Sequence, residues 1–255
     1  MGGEYGADLP ASLAAAWGVH HRPFRGPKPG LSLERIVSAA VQVAGAEGLA
    51  AVSMSRVAAE LGTGPMSLYR YVAGKDEVLA LMVDAAHGPP PPAGPAPDGP
   101  PAGEDWRAGL TQWSWAIRAA YQRHPWVLQI PIRGLPSLPN EVAWFEAGLR
   151  CLASTGLAEA AKGSVILLVT GYVRNAATID TDIEAAIRAS GQTPDQWMSS
   201  YARTITRLAD PQRFPALTKF IAAGVFDRAD PPDTEFSFGL ERVLDGIAAL
   251  VHAGP

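Results

Sequence analysis

Neither a helix nor a central strand can run through residues 88–103, because eight of those sixteen residues are proline. Each proline fixes φ and removes a backbone donor, so the stretch reads as a linker or an extended loop. It divides the chain into a head (residues 31–87) and a body (residues 104–255), preceded by an arm (residues 1–30) rich in Gly, Pro and Ala. Within the arm only residues 9–17 have the makings of a short helix. At 255 residues and 47% apolar, the chain can bury a substantial core.

Head and body both carry helical periodicity, and alternating strand patterns are absent. Leu33, Ile36, Val37, Ala40, Val41 and Ala44 recur on one helical face. Ser32 is placed to cap that helix and Gly48 to stop it. In the body, Trp106, Leu110, Trp113 and Ile117 repeat the pattern up to His124-Pro125, and Val142, Phe145, Leu149 and Leu152 repeat it up to Gly156. Thr193-Pro194-Asp195-Gln196 has the form of a capping box with proline at the first helical position, and leads into Trp197, Tyr201, Ile205 and Leu208. Phe236, Leu240, Val243, Leu244, Ile247 and Val251 mark the last helix. The expected fold is all-α.

The head holds two short helices around a tight turn. Ser53 can cap the first, residues 54–61, whose Val57, Ala58 and Leu61 point inward. Gly62-Thr63-Gly64 makes the turn, where glycine adopts unusual φ without steric cost. Pro65 opens the second, residues 65–72. Leu68 and Val72 face its core, leaving Met66, Ser67, Tyr69, Arg70 and Tyr71 mostly outward. A short helix with polar, aromatic and basic groups on its free face suits a DNA major groove. Charge agrees. The chain as a whole carries −4, yet from His20 to Lys75 seven basic residues stand against three acids, leaving −8 for the rest. A local basic patch on an acidic protein is the electrostatic pattern of a DNA-binding head on a body with another task. Arg22, Arg25 and Lys28 extend it into the arm, where they could reach phosphates or a minor groove.

Residues 58–79, Ala-Ala-Glu-Leu-Gly-Thr-Gly-Pro-Met-Ser-Leu-Tyr-Arg-Tyr-Val-Ala-Gly-Lys-Asp-Glu-Val-Leu, resemble the DNA-binding region of TetR-family regulators. The resemblance covers roughly residues 31–85. It rests on the turn, the Leu-Tyr pair of the second helix and the Gly-Lys that follows. It implies a three-helix head, a connecting helix over residues 76–87 and a helical body that dimerises and senses a small molecule. It places Tyr69 and Lys75 on backbone phosphates, with Ser53 and Ser55 as further phosphate contacts. Pro65, Met66, Ser67, Arg70 and Tyr71 then face bases. Arg70 is best suited to guanine, since its planar fork reaches O6 and N7 together.

In the body, residues 238–246 are similar to the last helix of proteins related to the tetracycline repressor. That similarity implies a homodimer built through residues 160–177 and 236–251, both apolar on more than one face. A palindromic double-stranded operator would then be read by two heads. Six of the seven tryptophans lie in the body. Most fit a core, yet Trp113, Trp126 and Trp144 with His124, Tyr172 and Asn175 are the candidates for a chamber holding an aromatic or apolar effector. Gln112, Gln129, Arg133 and Arg174 are further polar groups that could orient it. The expected function is a ligand-released repressor. A regulator of the same fold controlled by a protein partner, and an activator, are the alternatives.

Other classes find no support. The single cysteine, Cys151, excludes an internal disulfide and a cysteine-based zinc site. No apolar run reaches the ~18 residues of a spanning helix, and the early acids Glu4 and Asp8 make a poor signal peptide. A cytoplasmic protein without a membrane partner is expected. HExxH, GxSxG, P-loop and Rossmann glycine patterns are missing, so no enzyme, cofactor or metal is expected. His87 and His124 read as capping or packing residues.

Overall fold

The computed structural model describes residues 9–19, 30–92 and 105–253; the basic arm residues Arg22, Arg25 and Lys28 lie outside them. Among the described residues the regular structure is helical throughout: α1 (Ala11–Ala16), α2 (Leu33–Glu47), α3 (Met54–Glu60), α4 (Pro65–Leu68), α5 (Lys75–His87), α6 (Trp106–Arg123), α7 (Pro139–Cys151), α8 (Glu159–Ser190), α9 (Pro194–Leu208), α10 (Pro215–Ala222) and α11 (Thr234–Ala253), with 3-10 turns at Leu49–Ala51 and Pro125–Gln129.

Local chemistry accounts for most of the starts and stops. The hydroxyl of Ser32 accepts from the Arg35 amide at 3.3 Å, that of Ser53 from the Arg56 amide at 3.1 Å, and the Asp105 carboxylate from the Ala108 amide at 3.0 Å. Each satisfies a donor that the first helical turn leaves open. Thr193 and Gln196 cap each other reciprocally, at 3.3 and 3.0 Å. Gly62 turns between α3 and α4 at φ 66°, a left-handed conformation that side chains disfavour.

Two elements differ from the periodicity reading. The unit expected as a helix over 65–72 is α-helical only through Leu68; beyond it the chain tightens into a turn, with the Tyr71 amide donating to the Leu68 carbonyl at 2.9 Å. The helix expected over 160–177 instead runs to Ser190 and ends on left-handed Gly191. The apolar stripe fades after Ala177, but nothing in the following residues breaks a helix, so it continues with Ile179 and Ile183 exposed.

Ile36, Val43, Val57, Leu68, Val78 and Met82 close the core of the head. α5 leaves that core and enters the body, packing on α7 and α6. There Leu110, Val165, Val169, Leu240 and Leu244 are buried between α6, α8 and α11. Close approach matters at Gly148, where a Cβ would stand 2.8 Å from the Ile166 side chain and 3.0 Å from Trp113. The hairpin of α9 and α10 has no buried residue and carries an aromatic cluster of Trp197, Tyr201, Phe220 and Phe226.

Candidate nucleic-acid interface

α4 presents its free face because Leu68 and Val72 anchor the other one in the core. Pro65, Met66, Tyr69, Arg70 and Lys75 are exposed, as are Ser53 and Ser55 at the start of α3. Met66 is 77% exposed, a large apolar side chain left in water within reach of anything that docks on α4. Ser67 is half-buried, and its hydroxyl accepts from Thr63 at 3.1 Å, bracing the turn against α4. Ser53 serves as the cap of α3, which leaves its own O–H to donate outward. Tyr71 departs from the expected set. It is half-buried, and its hydroxyl donates to the Leu31 carbonyl at 2.9 Å, tying α4 to the entry of α2.

The basic patch is also narrower than its composition. Arg56 pairs with Glu47 at 2.6 Å and Glu60 at 2.8 Å. Its hydrogen bonds to both hold Arg56 above the ordinary arginine range, and the same contact holds Glu47 below the ordinary carboxylate range. The charge of Arg56 is therefore compensated within the head. Arg70 and Lys75 are the exposed cations beside the free face of α4.

α5 links this face to the body through four sets of contacts. The buried Asp84 carboxylate accepts from the amides of Asn140 and Glu141, both at 2.9 Å, and from the Asn140 side chain at 2.9 Å. Asp84 thus caps the start of α7 from another helix. Burial raises its carboxyl above the ordinary range, against the pull of those donors. The Trp144 indole donates to the Gly88 carbonyl at 2.9 Å, just past α5. Asp76 pairs with Arg133 at 2.6 Å. At the same end, the buried Ser12 of α1 donates to Glu77, whose carboxylate also accepts from the Ala73 amide, while Trp17 donates to the Ser137 carbonyl at 2.8 Å. Sequence periodicity did not single out these ties. The one available signal was Asp84, an acid within the apolar run that includes Leu81, Met82, Val83 and Ala86.

Of the six residues expected to line an effector chamber, none lines the cleft beside α5 or the groove between α8 and α11. Trp113 and Trp144 are core, and the Trp113 indole donates to the Trp144 carbonyl at 3.0 Å. The Tyr172 hydroxyl donates to the Phe236 carbonyl at 2.8 Å, with the two rings stacked. Asn175 is exposed, and His124 tilts against Trp126. Trp126 is buried with its N–H unpartnered among the described residues. Trp113 and Trp144, two of the tryptophans that suggested a lining, pack between helices. A cleft of about 280 Å³ instead opens beside α5, lined by Leu79, Val83, Val127, Ile130, Arg133 and Arg174 among others. Among the described residues no group of His, Cys, Asp and Glu could hold a metal ion, and no helix is long and apolar enough to cross a membrane.

Comparison with known proteins places this architecture. Residues 36–82 match the family described as bacterial regulatory proteins, tetR family, and residues 99–251 match the tetracyclin repressor-like C-terminal domain. The HTH-type transcriptional repressor DrrR1 of Streptomyces coeruleorubidus is 39% identical over 248 residues, covering 96% of this chain and 87% of that protein. Among solved structures, ActR of Streptomyces coelicolor in complex with actinorhodin superimposes with a TM-score of 0.71 at 26% identity, covering 88% of this chain and 97% of ActR. Apo ActR gives 0.69 at 26% identity, covering 89% and 99%.

Proposed function

The chain belongs to the TetR family of bacterial regulatory proteins, and from that premise we propose that it is a homodimeric repressor that reads a palindromic operator with α4 and is released by a small effector. Members of this family are DNA-binding transcriptional regulators, not enzymes. The observation that carries the finer reading is the free face of α4. Pro65, Met66, Ser67 and Arg70 face bases, while Ser53, Ser55, Tyr69 and Lys75 hold phosphates. Tyr71 is left out because its hydroxyl already serves α2. One α4 spans few base pairs, so two copies on a two-fold axis are needed for specificity. The outer faces of α8 and α11 suit that axis: Leu168 and Leu250 are exposed beside a groove that also includes Ala161 and Gly246.

Release by an effector is supported by the relative that carries one, ActR with actinorhodin, and by the way α5 is held to the body at both ends. Coupling of ~1–3 kcal/mol between body and head would weaken operator binding roughly 5–150-fold.

The test is selection of a randomised duplex library with the purified full chain, with binding stoichiometry. Enrichment of a palindrome bound by two subunits is expected. A folded dimer that enriches no sequence at low salt would overturn the reading. On the selected duplex, Arg70→Ala should cost about 1–3 kcal/mol and relax preference at one base position, whereas Lys75→Ala should weaken all sequences alike and lower the salt slope by about 1.

A further inference from the structure

We propose that the cleft beside α5 binds an apolar organic anion, a carboxylate or phenolate on a small ring system, and that its occupation works on α5. The proposal rests on the ligand-released reading above and assigns its site and its chemistry.

Much of the cleft's lining is apolar: Leu79 and Val83 of α5, Val127 and Ile130 of the 3-10 turn and its end, and Leu138 at the start of α7. Four charged groups also line it. Asp76 and Arg133 are paired with each other at 2.6 Å. Glu141 accepts from the amides of Ser137 and Leu138, at 3.2 and 3.3 Å, at the positive end of α7. Arg174 differs from these three. It donates to the carbonyls of Leu128 at 3.0 Å and Ile130 at 2.7 Å, and no carboxylate pairs with it among the described residues. Neutral carbonyls offset only part of a guanidinium charge. A half-buried cation in an apolar cleft without a counter-ion favours an anionic guest, and its planar fork suits a carboxylate. The Arg174 guanidinium also lies 5.9 Å from the centroid of the Tyr121 ring, and its charge still reaches the neighbouring His87, whose titration is depressed by burial first and by Arg174 second.

The mouth supports the same reading. Ile132 and Leu135, on the loop between the 3-10 turn and α7, are 70% and 89% exposed. Their loop is held to α5 by the exposed Arg133–Asp76 pair, an interaction that contributes little in water. The volume of about 280 Å³ falls just below the usual range of ligand sites, which begins near 300 Å³, so it suits a small guest. A ring system that enters there contacts Leu79, Val83 and Arg174 and offers apolar surface for the loop to cover. It also wedges α5 away from the loop. α5 starts directly after Gly74, at the end of the recognition unit, so such a displacement passes to α4.

Two fluorescent probes separate charge from greasiness: 8-anilino-1-naphthalenesulfonate, an apolar anion, and N-phenyl-1-naphthylamine, its uncharged counterpart. The full chain should bind one sulfonate per subunit. Arg174→Met should weaken the sulfonate roughly tenfold or more while changing the amine by less than about twofold. Arg174→Lys should retain sulfonate binding, and Leu79→Trp, which fills the cleft, should lose both probes. Should Arg174→Met fail to fold, by circular dichroism, the Lys and Trp variants decide. The site is overturned if Leu79→Trp leaves both probes bound, which would place them on the exposed aromatic face of α9 and α10. It is equally overturned if Arg174→Met affects both probes alike or neither. Charge-selective binding that leaves affinity for the selected operator unchanged would uphold the site and overturn the ligand-released reading.

Discussion

His87 sits in the last turn of α5, where a charged imidazolium would ordinarily be favoured by the helix dipole. Burial outweighs that preference. The ring packs edge-on against Tyr121 at 5.4 Å, and Arg174, His124 and Arg123 add positive charge around it. Its titration is pushed down from 6.5 to about 4, by desolvation first and those cations second. The folded protein thus binds this proton less readily than the unfolded chain. The stabilisation is complete above pH 6.5 and is lost as pH falls towards about 4. Thermal melts across that window should show a decline in Tm that His87→Gln flattens. An equally steep decline in the variant would assign the acid sensitivity to other groups.

Among the elements, α1 lies wholly outside the two stretches that match the family, residues 36–82 and 99–251. Its buried Ser12 and Ala14 and its Trp17 lie across the joint, holding Glu77 of α5 on one side and the Ser137 carbonyl of the body on the other. Because Glu77 also accepts from the Ala73 amide, the strap reaches the turn that ends the recognition unit. Its expected effect is on head orientation, more than on folding. Removal of residues 1–19 should leave a folded dimer whose operator affinity depends less steeply on half-site spacing. Binding to duplexes with spacing altered by single base pairs checks this; a profile identical to that of the full chain would show that α1 merely decorates the joint.

For the whole molecule, the outer faces of α8 and α11 leave apolar surface in water in a single chain. Leu167, Leu168, Phe238 and Leu250 remain exposed, Leu168 at 54%, although both helices bury their inner faces well. A second copy would remove that apolar surface from water at about 25 cal/mol per Å². Leu168→Glu should therefore yield a folded monomer by sedimentation equilibrium, with operator affinity reduced by at least an order of magnitude because one head alone holds the DNA. A dimer that survives the substitution would move the interface elsewhere.

The all-α class, the caps at Ser32, Ser53 and Thr193 and the turn at Gly62 were legible in the sequence because each depends on interactions within a few residues. So was the outward set on α4, since anchoring Leu68 and Val72 leaves the opposite face free. Tyr71 escaped that logic: its side chain is claimed by Leu31, forty positions away. Arg56 likewise counts as a cation in composition but is compensated by Glu47, nine positions away, as well as by Glu60 on its own helix. The place of the six residues named for an effector chamber was beyond sequence for the same reason. A tryptophan on a helical face looks alike whether its neighbour is another helix or a cavity, and only packing decides. Asp84 capping α7, Ser12 and Trp17 spanning the joint, and Arg174 without a carboxylate are tertiary facts, because each joins residues that local periodicity cannot bring together.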